Sequence, residues 1–362
     1  MRGHRYGPRK SSRVSDLTAV RSRLDKQRGL LLFSILEPCI LAQDGVRVKL
    51  PMYKDSLPSL ADYVVNVASV PQRSPFRYPG GKTWLVPYVR RWLSSITPPL
   101  QELIEPFAGG SIVGLTAAFE NLAKKVTLVE LDPDVASVWK TILHGDVAWL
   151  ANRVMTFNLT LDSARALLAA KPHGTKERAF ITIVRNRVQR GGILAPGAGV
   201  MKDGENGKGI RSRWYPATLR KRMLDIAAIR GRIRFVEGDG LAYMERRLQR
   251  ERVAFFVDPP YTVAGRRLYR YSDIDHERLF WLARRLAGNL LMTYDDSQEI
   301  RRLILRYRLD CETILMKNTH HTRMQELLIS RDLGWVRRPD TSQLVFREFF
   351  PQRDSGSLES RL

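Results

Sequence analysis

Cysteine is nearly missing from this chain: two in 362 residues, Cys39 and Cys311. That excludes a disulfide framework and a cysteine-based metal site, and it suits a reducing, cytoplasmic compartment. No uncharged apolar run reaches the roughly 18 residues that a membrane span needs; the stretch Leu30 to Ile35 is short and is followed by Glu37. Acids are scarce relative to bases. There are 37 Asp and Glu against 60 Lys and Arg, a formal net charge of +23. Such an excess favours a polyanionic partner, because phosphate contacts release counterions. By itself it fits a nucleic-acid enzyme, a ribosomal protein or a membrane-surface protein equally well. A hydrophobic content of 44% over 362 residues allows a large core, in one large or two modest domains. No internal repeat is visible.

What the chain does have is a set of short apolar runs, each ending in a polar or glycine-rich turn. Phe255-Phe256-Val257-Asp258-Pro259-Pro260-Tyr261 reads as a buried strand delivering a carboxylate, a rigid carbonyl and an aromatic face to one point. The prolines fix φ and remove two backbone donors, so the turn presents acceptors. That equipment suits an exocyclic amine on a flat ring. The same residues, taken alone, also read as an ordinary strand-ending turn.

A second run, Glu102 to Glu105, leads into Pro106-Phe107-Ala108-Gly109-Gly110-Ser111 and a helical pattern. Glycines there let a ligand approach the backbone, and the helix start adds oriented N–H groups. The spacing is not that of the dinucleotide fingerprint. Val126 to Val129 is another strand, ending in Glu130-Leu131-Asp132; an acid at this place holds a ribose diol in related nucleotide folds. Upstream lies Phe76-Arg77-Tyr78-Pro79-Gly80-Gly81-Lys82, separated from the glycine turn by a helical pattern over Trp84 to Leu93. Downstream, Glu237-Gly238-Asp239 follows the strand Ile233 to Val236.

In this order the five motifs resemble those of the Dam-like N6-adenine-specific DNA methyltransferases, the class whose recognition region is inserted in the catalytic domain. The resemblance covers about residues 73–332. It implies an α/β fold, a Rossmann-like S-adenosylmethionine-dependent methyltransferase sheet with a mostly helical recognition insertion. It implies S-adenosylmethionine as cofactor and double-stranded DNA as partner. By carry-over, Tyr78 and Lys82 hold the donor, with Lys82 on its carboxylate. Glu105, Phe107 and Gly109 line its pocket, Glu130 takes the ribose hydroxyls, and Asp239 reads the donor's adenine amine. Asp258 borders the donor and also accepts one N6 hydrogen of the target adenine; the Pro259 carbonyl accepts the other. Pro260 stiffens the turn, and Tyr261 stacks on the flipped-out base. No metal is implied, and His320-His321 reads as a solvated pair. A partner restriction endonuclease or an orphan or phage role is compatible with the resemblance, with a monomer favoured.

The expected divisions are a basic, flexible extension over 1–70, a donor-binding part over 71–145, a basic recognition insertion over 146–232, the rest of the catalytic domain over 233–350, and a tail over 351–362. Between Lys176 and Arg222 there are 12 Lys or Arg against 3 acids. This is the expected DNA face, with Arg187, Gln189, Arg190, Lys208, Arg211 and Arg213 as contacts and Arg77 reaching a flanking base or phosphate. Arginine and glutamine suit guanine and adenine edges. Relatives that read GATC continue with an aromatic- and Asn-rich segment; here Gly192-Ile193-Leu194-Ala195-Pro196-Gly197 stands instead, which argues against GATC. The alternatives are an RNA adenine or protein-amide methyltransferase, or a catalytically inactive DNA-binding relative.

Overall fold

A computed structural model describes residues 69–77, 80–195, 197–202, 204, 209–261, 270–317 and 323–337. Tyr78, Lys208 and the His320-His321 pair lie outside these residues, as do the tail and all of the extension except Ser69 and Val70. All of the described residues belong to one compact unit.

Seven strands form one sheet in the order β3-β2-β1-β4-β5-β7-β6. They are β1 (Glu102–Glu105), β2 (Lys125–Glu130), β3 (Ile233–Glu237), β4 (Val253–Val257), β5 (Asn289–Asp295), β6 (Asp310–Lys317) and β7 (Arg323–Ser330). The first five run parallel. The last two form a hairpin, and β7 inserts antiparallel beside β5. This is an α/β Rossmann-like sheet. Strand order reverses between β1 and β4, which open doubly wound sheets use as a ligand crevice at the carboxyl ends of the strands.

Alternation along the strands builds two cores. Ala254 and Phe256 of β4 face one side with Leu103, Leu128 and Leu291. Phe255 and Val257 face the other with Ile104, Val129 and Met292. The first side is covered by α1 (Val86–Ser95), α2 (Ile112–Phe119) and α3 (Pro133–Leu143), and the second by α9 (His276–Arg285) and α10 (Gln298–Tyr307).

The insertion is helical, as its pattern predicts: α4 (Val147–Thr156), α5 (Leu161–Ala169), α6 (Thr175–Val188) and α7 (Pro216–Ala228). It does not stand apart. Ile183, Val184 and Val188 of α6 and Leu219 and Met223 of α7 share the core of the first sheet side, and α6 packs along α3. Residues 145 and 232 therefore bound a segment of sequence but no gap in packing. After α6 the chain turns back on itself: Met201 N–H donates to the Val188 carbonyl at 2.9 Å and Arg190 N–H to the Gly199 carbonyl at 3.0 Å. Among the described residues no helix is long and apolar enough to cross a membrane.

Candidate active site

The turn after β1 is shaped by backbone conformations that ordinary residues avoid. Gly109 has φ 45° and Ser111, which caps α2, sits in the left-handed region at φ 48°. A non-glycine residue held there is strained and needs support from its surroundings. Support comes from Glu105: the Ser111 hydroxyl donates to its carboxylate, and the Gly114 N–H adds a second donor. A side chain at residue 114 would have no room, since its Cβ would lie 2.4 Å from a Glu105 oxygen. Burial pushes the Glu105 carboxyl up to about 8, against the lowering effect of those two hydrogen bonds.

Glu130 ends β2 next to this turn. Its Oε2 accepts the Gly109 N–H at 2.8 Å and its Oε1 the Asp132 N–H at 2.9 Å. Each oxygen keeps a lone pair, so a diol could still be received, but the first duty of Glu130 is to tie the glycine turn to β2. Burial raises it to about 7, opposed by these backbone donors. Asp239 caps α8 (Gly240–Glu245), accepting the Ala242 N–H at 2.6 Å through Oδ1. Oδ2 of this exposed residue has no such duty. The next residue must be glycine, because a Cβ on Gly240 would lie 2.2 Å from the Pro106 carbonyl oxygen. Thus the ends of β1, β2 and β3 close together into one wall, with Phe107 half-buried beside them.

Asp258 follows β4 across the switch point. Three groups converge on its Oδ1: the Lys82 ammonium at 2.9 Å, the Thr293 hydroxyl at 2.8 Å and the Tyr261 hydroxyl at 3.3 Å. Among the described residues no contact is made to the other oxygen, and the Asp258 side chain is a quarter exposed. Pro259 is buried behind it.

Lys82 is 3% exposed, starts a short 3-10 turn (Lys82–Leu85), and also donates to the Gly80 carbonyl at 2.8 Å. Its second acid is Glu326 of β7, at 3.6 Å. That separation is an ion pair and not a hydrogen bond. Burial alone would lower the lysine; Asp258 and Glu326 outweigh it and raise it. Burial pushes Glu326 up to about 7 despite Lys82. The resemblance implies a place for Lys82 on the donor's carboxylate; here the ammonium contacts two carboxylates of the protein, Asp258 and Glu326.

Tyr261 is likewise engaged. Its ring stacks on Tyr294 at 5.7 Å and 26°, and the Lys82 ammonium lies 5.0 Å from its centroid. The open stacking platform expected from sequence is instead a ring backed by the fully buried Tyr294. The Tyr294 hydroxyl meets His276 Nδ1 at 2.9 Å, and burial lowers the His276 pKa against the pull of nearby carboxylates.

The expected DNA contacts divide. Arg187 is 5% exposed and donates to the Pro75 carbonyl. Gln189 is 9% exposed and donates to the Ala198 carbonyl at 3.2 Å. Neither is free to read a groove, because both are spent inside the turn that joins the insertion to the opening motif. Asn186 completes that joint: it accepts the Arg77 N–H and donates to the carbonyls of Arg77 and Gly192, each at 2.8 Å. Arg190 and Arg213 are exposed, Arg211 is exposed with its Nε on the Leu159 carbonyl at 2.8 Å, and Arg77 is half-buried.

Glu326 and Thr293 carry no motif. The one signal for Glu326 was an acid directly before Leu327-Leu328-Ile329 in a strand pattern; Thr293, inside Leu290 to Tyr294, gave none. No group of acids, histidines and cysteines among the described residues could hold a metal ion.

No family model matches the chain, and no curated protein matches it. Superposition finds TrmN from Thermus thermophilus, at 11% identity over 68% of this chain and 48% of that one, TM-score 0.31. It also finds a precorrin-6y C5,15-methyltransferase from Geobacter metallireducens (10% identity, 68% and 87% covered, TM-score 0.30) and a geranyl diphosphate methyltransferase in complex with GPP and sinefungin (10%, 68% and 78%, TM-score 0.30). Likeness at this level carries no weight for substrate or chemistry, which rest on the strands and side chains described above.

Proposed function

We propose that this chain is a methyltransferase that moves a methyl group from S-adenosylmethionine to N6 of a flipped-out adenine in duplex DNA. The observation that carries the reading is Asp258. Its carboxylate stands at the switch point with one oxygen pinned by three donors and the other open.

The donor fits the wall. S-adenosylmethionine supplies an activated methyl on a sulfonium and is cationic at the reacting end. The wall sets Asp258 and Glu326 against a single ammonium, that of Lys82, with Glu105 and Glu130 in reserve as carboxyls whose pKa burial has raised. Glu130 and Asp239 keep free lone pairs for hydroxyl and amine donors.

The protein's part is orientation and electrostatics. The amine lone pair of adenine is delocalised into the ring, which makes N6 a poor nucleophile. Asp258 accepts an N6 hydrogen and stabilises the positive charge that develops there. Lys82 and Thr293 fix its position beforehand, so no reorganisation is needed during reaction. Tyr261, stiffened by Tyr294, gives the base a wall. The basic surface of the insertion supports a polyanionic substrate, and no duty here requires a metal. The test is direct. Incubated with duplex DNA, RNA and labelled donor, then digested to nucleosides, the products should contain N6-methyladenine in DNA. Label confined to RNA or protein, or found as N4-methylcytosine, overturns the assignment.

A further inference from the structure

Four arginines meet where the opening motif joins the insertion, and none forms an ion pair with a described carboxylate. Arg222 of α7 donates to the Ser74 carbonyl at 3.0 Å, and Arg187 of α6 donates to the adjacent Pro75 carbonyl. Hydrogen bonds to consecutive carbonyls place the two guanidinium groups side by side. Arg77, two residues on, is clamped at both its N–H and its carbonyl by Asn186. Arg213 repels Arg77 from across the turn, and Arg77 and Arg222 both repel Arg187. Burial comes first and this repulsion second in bringing Arg187 down to about 9; burial also lowers Arg77 and Arg222.

Two facts point to an anion as the ligand of this place. Like charges gathered in a partly desolvated place are unfavourable unless something of opposite sign joins them. Arg187, 5% exposed, also keeps a buried Nε with no hydrogen-bond partner. Carbonyl oxygens satisfy part of the Arg187 and Arg222 guanidinium groups but neutralise none of their charge. Access is graded: Arg213 and Tyr215 are exposed at the rim, Arg77 and Arg222 are half-buried, and Arg187 lies deepest.

We propose that Arg77, Arg187, Arg213 and Arg222 form a binding site for one phosphoryl group, with Arg77, Arg213 and Arg222 touching it and Arg187 supplying charge from beneath. Guanidinium is the side chain best matched to such an anion. The group is a backbone phosphate of the nucleic acid or a free phosphate. Only the first source rests on the function proposed above. Because Arg77 begins the motif that carries Lys82, a phosphate seated here would register the nucleic acid directly against the active site.

The full chain is melted in inorganic phosphate and in chloride at matched ionic strength. A specific site raises Tm in phosphate by a few degrees. Arg222→Gln and Arg77→Gln should each lose that increment, and Arg222→Lys should recover part of it. Equal Tm in both salts, or an increment that survives both glutamine variants, overturns the site. Should either glutamine variant fail to fold, direct titration of wild type with phosphate by calorimetry decides: saturable binding supports the site and its absence overturns it. A duplex scanned with single methylphosphonate linkages then identifies the source. One linkage whose neutralisation weakens wild type about tenfold, but not Arg222→Gln, marks a backbone phosphate; uniform behaviour together with the Tm increment marks free phosphate. None of these readouts uses methyl transfer, so failure of the site and failure of the proposed function remain separate results.

Discussion

Two groups of buried charge lie on either side of the opening motif, and they are built on opposite principles. Around Lys82 the charges are matched and even oversupplied with acid: one ammonium touches Asp258 and Glu326 and lies over Tyr261. Around Arg187 the charges are all of one sign, and the partners are carbonyls. The first arrangement has its counter-charges within the protein, although Glu326 Oε2 is buried without a hydrogen-bond partner. The second is incomplete as a whole. A site that must hold a catalytic group still has its counter-charges within the protein; a site that awaits a polyanion leaves them to the ligand.

Breaking the matched side should have the largest effect. Asp258→Asn removes the charge and keeps the shape, and Asp258→Ala removes both. Either should lower methyl transfer by about 10²-fold or more while DNA binding persists. Near-normal single-turnover rates, in a preparation free of wild type, would refute the role of Asp258. Glu326→Gln acts at one remove, because it frees Lys82 to shift by a fraction of an ångström. We expect a loss of about tenfold in single-turnover rate, little change in donor affinity, and a weaker rate dependence on pH near 7, the value to which burial brings Glu326. A purely structural Glu326 would leave the pH profile unmoved.

The next prediction joins the two groups. A Cβ on Gly192 would lie 2.4 Å from the Arg77 carbonyl oxygen, at φ 76°. Gly192→Ala should therefore destabilise the fold by about 1–3 kcal/mol, read from denaturant midpoints, and weaken nucleic-acid binding more than donor binding. Equal losses in the two affinities would mean that the joint does not separate them.

Much of this was legible in the chain. The strands over 253–257 and 289–294 stand out because buried parallel strands read as near-continuous apolar runs; 102–105 and 233–236 are shorter and carry charge, and are marked by the turns that follow them, the first through Gly109 and Gly114. The convergence of Lys82 and Asp258 was implied by motif order but not by periodicity, since 176 positions separate them in sequence. Glu326 was hidden because its partners come from other elements: β7 pairs antiparallel with β5, Glu326 opposite Asp295, and no local pattern reports that register. Arg187 and Gln189 lie deeper than local charge density suggests, for a related reason. Local charge density places arginines at a surface, yet a helix such as α6, packed on α3 and the opening motif, can bury a guanidinium when backbone carbonyls are within reach.

A smaller effect follows from the acids of the donor wall. Glu105 is raised to about 8, and Glu130 and Glu326 to about 7, all above the ordinary carboxyl value near 4.5. Folding thus favours their protonated forms. Their contribution is fully present below the unfolded value and is lost as pH rises through 7 to 8. Without donor, stability should fall as pH rises across this window, and Glu105→Gln should flatten the fall. A wild-type melting profile that is level or rising from pH 5 to 8, with Glu105→Gln parallel to it, would remove burial as the dominant influence on Glu105.

The smallest effect is expected where the unmatched side meets solvent. Arg190 and Arg213 are exposed, so any phosphate contact by either would act through water-screened charge. With Arg187 and Gln189 in the interior, base reading by the described members of the expected set falls to Arg190, Arg211, Arg213 and the half-buried Arg77. If they touch only phosphate, alanine at Arg190 should weaken every duplex alike and lower the salt slope by about one unit. If Arg190 reads a base edge, the loss should concentrate at one position and amount to about 1–3 kcal/mol there. Its place argues for the first outcome. Arg190 lies just past the end of α6, beside Gly191 at φ 68° and Gly192 at φ 76°, where no helix directs a side chain into a groove. Competition between duplexes with single-base changes, at two salt concentrations, separates the cases, and a loss confined to one base position would return sequence reading to this turn.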